Sequence, residues 1–198
     1  MKDLISPRKI LRLNNFDYSR IGSYFITICS FENRYLFGKI KNGQMDRSYL
    51  GKIIENLWLT IQERFPGVIL GEHIVMSNHF HGIIILEGKR EATEGQLKRE
   101  ATERLPFAES PMINNRGGSK AAPSVPQIMH WYKTWTSNEY FRYLKTNFPG
   151  KGYLKIWHRS YYDHVIRDIP DYERISEYIA NNPKRWDADR FSWPANKG

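Results

Sequence analysis

Met76-Ser77-Asn78-His79-Phe80-His81-Gly82-Ile83-Ile84-Ile85-Leu86 is the stretch on which the reading of this 198-residue chain turns. Ile83 to Leu86 is apolar on both faces, as expected of a central strand covered above and below. His79 and His81 sit one residue apart at its mouth. Strand side chains alternate, so both imidazoles project the same way, about 7 Å apart along the backbone, while Phe80 packs opposite. Two convergent imidazoles can share one divalent cation. Two half-buried histidines bonded to carbonyls or water fit the same pattern, and the spacing alone does not choose. A metal would also need further ligands, and a hard cation such as magnesium prefers oxygen.

Outward from this stretch, Val68 to Met76 reads as the preceding strand, turning tightly near Ser77-Asn78. Between Tyr49 and Phe65 the residues Leu50, Ile53, Ile54, Leu57, Trp58 and Ile61 recur at three and four, a helix period that Pro66-Gly67 stops. Tyr24 to Cys29 is aromatic and β-branched, hence a first strand, with Tyr35 to Ile40 as its expected hairpin partner. Downstream, Pro126 to Asn147 is an aromatic-rich helix ended by Pro149-Gly150-Lys151-Gly152. Leu154 to Trp157 suggests a last strand and Tyr161 to Ile166 a short helical turn. Pro170 to Asn181 makes the final helix, with Pro183 just beyond it. The order β-β-α-β-β-α-β-α implies an α+β sandwich, a mainly antiparallel sheet with packed helices, in one domain over 1–198.

Glu87 to about Val125 has a different character. Lys89-Arg90-Glu91-Ala92-Thr93-Glu94 recurs as Lys98-Arg99-Glu100-Ala101-Thr102-Glu103 in a charged, apolar-poor insertion, 87–125, read as a flexible surface loop or linker.

Composition narrows the partners. With 40% hydrophobic and 26% charged residues the chain can bury a core, and its net charge of +9 favours a polyanion. Cys29 is the single cysteine, which excludes an intramolecular disulfide and suits a packed strand position. Met1 to Arg12 lacks a signal-peptide core, and no 18 apolar residues run together, so a cytoplasmic, nucleoid-associated protein without a membrane partner is expected. Basic residues interleaved with rings are the candidate nucleic-acid contacts: Arg8, Lys9 and Arg12 near the start, Lys133, Arg142 and Lys145 on the aromatic helix, and Lys184 and Arg185 near the end.

At this point the sequence resembles a known family. Met76 to Ile83 is similar to the histidine–hydrophobic–histidine motif of the HUH single-tyrosine transposases, and more closely to their REP-associated branch. Arg12-Leu13-Asn14-Asn15-Phe16-Asp17-Tyr18 leading into Tyr24 to Cys29 resembles the family's opening. Trp157-His158-Arg159-Ser160-Tyr161-Tyr162-Asp163-His164-Val165-Ile166-Arg167 resembles its tryptophan-to-arginine block. Ile175-Ser176-Glu177-Tyr178-Ile179-Ala180-Asn181-Asn182-Pro183 resembles the segment with its catalytic tyrosine. The likeness spans nearly the whole chain apart from the insertion.

The resemblance implies a ferredoxin-like core, a Mg²⁺ or Mn²⁺ ion, and a 5′-phosphotyrosine intermediate on single-stranded or hairpin DNA, without a nucleotide cofactor. Tyr178 is then the nucleophile. Asn182, one helical turn on and so on the same face, supplies the third ligand beside His79 and His81. Pro183 biases Asn182 away from α geometry. Tyr140, on the aromatic helix, is the second-choice nucleophile but has Leu144 where the amide should stand. His164 and Arg167, in the matched block, are further DNA-contact candidates, whereas His73 reads as structural. A homodimer and a monomer both remain open. So do two other functions: a domesticated hairpin-binding protein that does not cleave, and a metal-dependent hydrolase using activated water.

Overall fold

In the computed structural model, residues 20–87, 123–150, 152–189 and 191–192 are described. Arg8, Lys9, Arg12 and the insertion, apart from its ends, lie outside them.

Strand β1 (Gly22–Cys29) runs through the middle of the molecule. A small hairpin, β2 (Gly38–Lys41) and β3 (Gln44–Arg47), follows it as a separate two-stranded sheet. The expected pairing of 35–40 with β1 is therefore corrected. Positive φ at Asn42 and Gly43 closes a tight turn between β2 and β3, which satisfies β2 locally. Helix α1 (Tyr49–Leu59) starts where Ser48 Oγ accepts from Gly51 N, and buries Leu50, Ile53, Ile54 and Trp58. One further turn, α2 (Ile61–Arg64), leads to β4 (Val68–Val75) and β5 (His79–Leu86). Helix α3 (Val125–Asn147), capped by Ser124 and Gln127, precedes β6 (Tyr162–Ile166) and α4 (Ile169–Asn181).

The main sheet has the order β4-β5-β1-β6, and every neighbouring pair is antiparallel. The sequence β1-α1-β4-β5-α3-β6 woven in that order is a ferredoxin-like α+β sandwich. Two expectations change here. Residues 161–166 form β6 rather than a helical turn, because Tyr162 to Ile166 pair along β1 from Thr27 to Ser23. Residues 154–157 contribute only one isolated bridge, Ser30 to Trp157, not a strand.

Alternation along the strands gives two cores, one per face. Tyr24, Ile26, Ile28, Phe80 and Ile84 pack with Trp58 of α1 and Ile128 and Tyr132 of α3. On the other face Ile83 and Ile166 pack with Ile175 and Ile179 of α4. Gly82 lets the first core close around the motif: a Cβ there would stand 2.5 Å from the Trp58 ring and 2.9 Å from Phe80. The second core is small, and next to it the sheet carries polar side chains.

Candidate functional site

His79 and His81 open β5 on the α4 face, opposite Cys29 and Thr27 of β1. Their ring centroids lie 4.5 Å apart, and both residues are 0% exposed. Each ring is held by a neighbour. The Asn78 amide donates through Nδ2 to the carbonyls of Asn33 (3.2 Å) and Phe191 (2.7 Å), which turns its oxygen to His79 Nδ1 at 2.9 Å. An amide oxygen only accepts, so Nδ1 carries a proton, and in the neutral ring the lone pair falls to the buried Nε2. Thr27 Oγ1 meets His81 Nδ1 at 2.8 Å and holds the orientation of the second ring. Such outer contacts orient imidazoles that bind metals.

Helix α4 brings the second half of the site. Ile175 and Ile179 bury one stripe, and this turns Tyr178 and Asn182 toward the histidines. The Tyr178 hydroxyl lies 3.3 Å from His81 Nε2, and its ring meets Phe25 edge-on while Phe25 stacks on His81. Asn182 keeps αR geometry (φ −55°, ψ −44°) despite Pro183, because the chain continues directly into the 3-10 turn Asn182–Ala188. The bias exerted by Pro183 is overridden there.

Directly after that turn stands Asp189, which no motif or periodicity in the sequence marks. Asp189 Oδ2 accepts from Tyr178 OH (3.2 Å) and Asn182 Nδ2 (2.9 Å), while Oδ1 accepts from Phe191 N (2.7 Å). One donor atom from each of His79, His81 and Asp189 lies within 4.8 Å of the others. Asn182 Oδ1 is buried without a hydrogen-bond partner beside this group, and the residue is 2% exposed. Two imidazoles, a carboxylate and an orphaned amide oxygen form a mixed N/O donor set suited to a divalent cation. Trp186 stacks on His79 and Phe191 packs on both histidines, so rings shield the group from water.

No protein-family model matches the chain. A Haemophilus influenzae protein described as uncharacterized is 34% identical over 188 residues, 94% of each chain. The chain belongs to that protein's family. Among solved structures, a REP-associated tyrosine transposase bound to a REP hairpin superposes with a TM-score of 0.52 at 14% identity, covering 92% of this chain and 80% of that one. This likeness shows a shared fold.

The remaining candidates scatter over the molecule. Tyr140 packs against the α1–α3 core, on the sheet face away from the histidines, and burial followed by the neighbouring Tyr143 raises its phenol above the ordinary 10.0. His73 also belongs to that face, near the rings of Trp58 and Phe80, and burial lowers its pKa. Lys133 donates to the carbonyls of His158 (2.7 Å) and Arg159 (2.9 Å), and Arg142 pairs with Glu139. Lys145, Arg167, Lys184 and Arg185 are exposed. His164 lies opposite Phe25 on edge strand β6, beside the candidate site, and contacts Asp171 at 2.8 Å. Among the described residues, no helix is long and apolar enough to cross a membrane.

Proposed function

We propose that this chain is a metal-dependent single-tyrosine transposase that cuts and rejoins single-stranded DNA at hairpin-flanked ends through a 5′-phosphotyrosine intermediate. The observation that carries the reading is the placement of the Tyr178 hydroxyl, 3.3 Å from His81 Nε2 and 3.2 Å from Asp189, at the edge of the histidine–carboxylate group. A nucleophile and a cation-ready donor set in one place are what phosphoryl transfer to a side chain requires.

His79, His81 and Asp189 are the residues that would hold Mg²⁺ or Mn²⁺, with the Asn182 oxygen as a further donor. A divalent cation held there offsets negative charge that grows on the phosphate oxygens. Tyr178 oxygen attacks phosphorus and loses its phenolic proton. The P–O3′ bond breaks, and the departing 3′ oxygen takes up a proton. A later 3′-OH reverses these steps and releases the tyrosine, so the phosphodiester energy is conserved and no nucleotide cofactor is consumed. Asp189 orients the phenol in the resting protein, and Phe25 sets the distance between its ring and His81. Hairpin DNA is the proposed partner in view of the fold neighbour, which holds a REP hairpin.

Incubation with end-labelled single-stranded hairpin DNA and Mn²⁺ or Mg²⁺, followed by a denaturing gel before and after protease digestion, tests the reading. A protease-sensitive shifted band, lost with a chelator, is expected. Cleavage without a shifted band indicates hydrolysis by water, and binding without cleavage indicates a recognition protein. Either result removes the transposase reading.

A further inference from the structure

Away from the histidine face, an open groove of about 780 Å³ separates α3 from residues 155–161. Its lining includes His130, Lys133, Lys155, His158 and Arg159 and, among the described residues, no Asp or Glu. The Lys133 ammonium bonds the backbone carbonyls of His158 and Arg159 and so ties the two walls together. Phe141 lines the groove, and the Tyr153 ring stands edge-on to it at 5.0 Å while remaining 79% exposed. A tyrosine so open to solvent adds little to folding, yet its ring stands beside a residue that lines a cationic trough.

We infer that this groove is a docking channel for a single-stranded nucleic-acid segment, with Tyr153 stacking an unpaired base and Lys155 and Arg159 contacting phosphates. Cationic walls that track a backbone, joined to an aromatic platform, are the two elements by which proteins hold unpaired strands without reading their sequence. Position favours the same occupant. His158 N donates to Cys29 O (2.9 Å), and Cys29 stands directly across from His79, so the groove wall is stitched to the sheet end where the histidines open. The chain then runs from Ser160 into Tyr162, which lies opposite Thr27, the partner of His81. The groove wall thus continues through residues 158–162 to the sheet edge beside the candidate site. The inference rests on the proposed reading of the chain as a processor of single-stranded DNA.

Fluorescence anisotropy of a labelled oligothymidylate of about 16 nucleotides, titrated at several salt concentrations, is the test. Lys155→Gln/Arg159→Gln should lower the slope of log K against log salt by about 1.4, two single-strand phosphate contacts at about 0.7 each. Tyr153→Ala should weaken binding at least about fivefold. All three side chains are solvent-exposed, and unchanged melting temperatures will show that the fold is kept. Wild-type binding with both variants unaltered overturns the groove alone. Tighter wild-type binding of a perfect duplex overturns the single-strand assignment. No wild-type binding of any DNA overturns the groove and the functional reading together.

Discussion

Asp189 and Tyr178 are linked by a 3.2 Å hydrogen bond in which the phenol donates to the same carboxylate oxygen that accepts from Asn182. One acid therefore joins the proposed nucleophile to the proposed metal-binding group. Asn182→Asp tests the link. A second carboxylate beside Asp189 replaces a donor with a repelling charge, so the metal-free variant should melt below wild type. A divalent cation neutralises the pair, so Mn²⁺ should raise the variant's melting temperature by more than it raises that of wild type. Equal Mn²⁺ responses in the two proteins would show that position 182 does not face a bound cation, and no response in either would show that no cation binds there.

Asn78 does not touch the proposed metal position, yet it sets which nitrogen of His79 carries the proton. Asn78→Ala should leave a folded protein whose Mn²⁺ affinity, measured by calorimetry, falls roughly 10–100-fold. An unaltered affinity would mean that the His79 tautomer is set elsewhere.

Gly82 has no room for a side chain because the Trp58 and Phe80 rings occupy the space its Cβ would need. Gly82→Ala forces these buried rings or the strand to shift, at an expected cost of about 1–3 kcal/mol in urea unfolding. A cost near zero would show that the rings relax freely.

His73 gives the fold a dependence on pH. Burial lowers its pKa below the ordinary 6.5, so the unfolded chain binds the proton first as pH falls. Its contribution to stability is present above pH 6.5 and declines as pH drops through the folded-state value. His73→Gln should flatten the stability profile in the mildly acidic range relative to wild type. A retained slope would assign the effect to another group.

The central strand and the histidine pair are legible because β5 is covered on both faces and its alternation puts both imidazoles on one side. Ile175 and Ile179 likewise announce the stripe that aims Tyr178 and Asn182. Asp189 is not legible, because it enters the site through a turn beyond α4, where no periodicity ties sequence position to direction. Strand β6 escapes detection for a related reason. It is an edge strand whose exposed members Tyr162 and His164 lie beside the polar site, so apolar alternation is weak there. The separate β2–β3 hairpin follows from a local turn at Asn42-Gly43, which outcompetes pairing with β1.

The most direct measurement is the residue to which DNA becomes joined. Protein incubated with hairpin-flanked single-stranded DNA and Mn²⁺, digested with nuclease and trypsin and read by mass spectrometry, should carry a 5′-nucleotide on Tyr178. Tyr178→Phe keeps the ring against Phe25 but should give no adduct, whereas Tyr140→Phe should give the wild-type amount. A nucleotide on Tyr140, or an adduct that survives in Tyr178→Phe, contradicts the account.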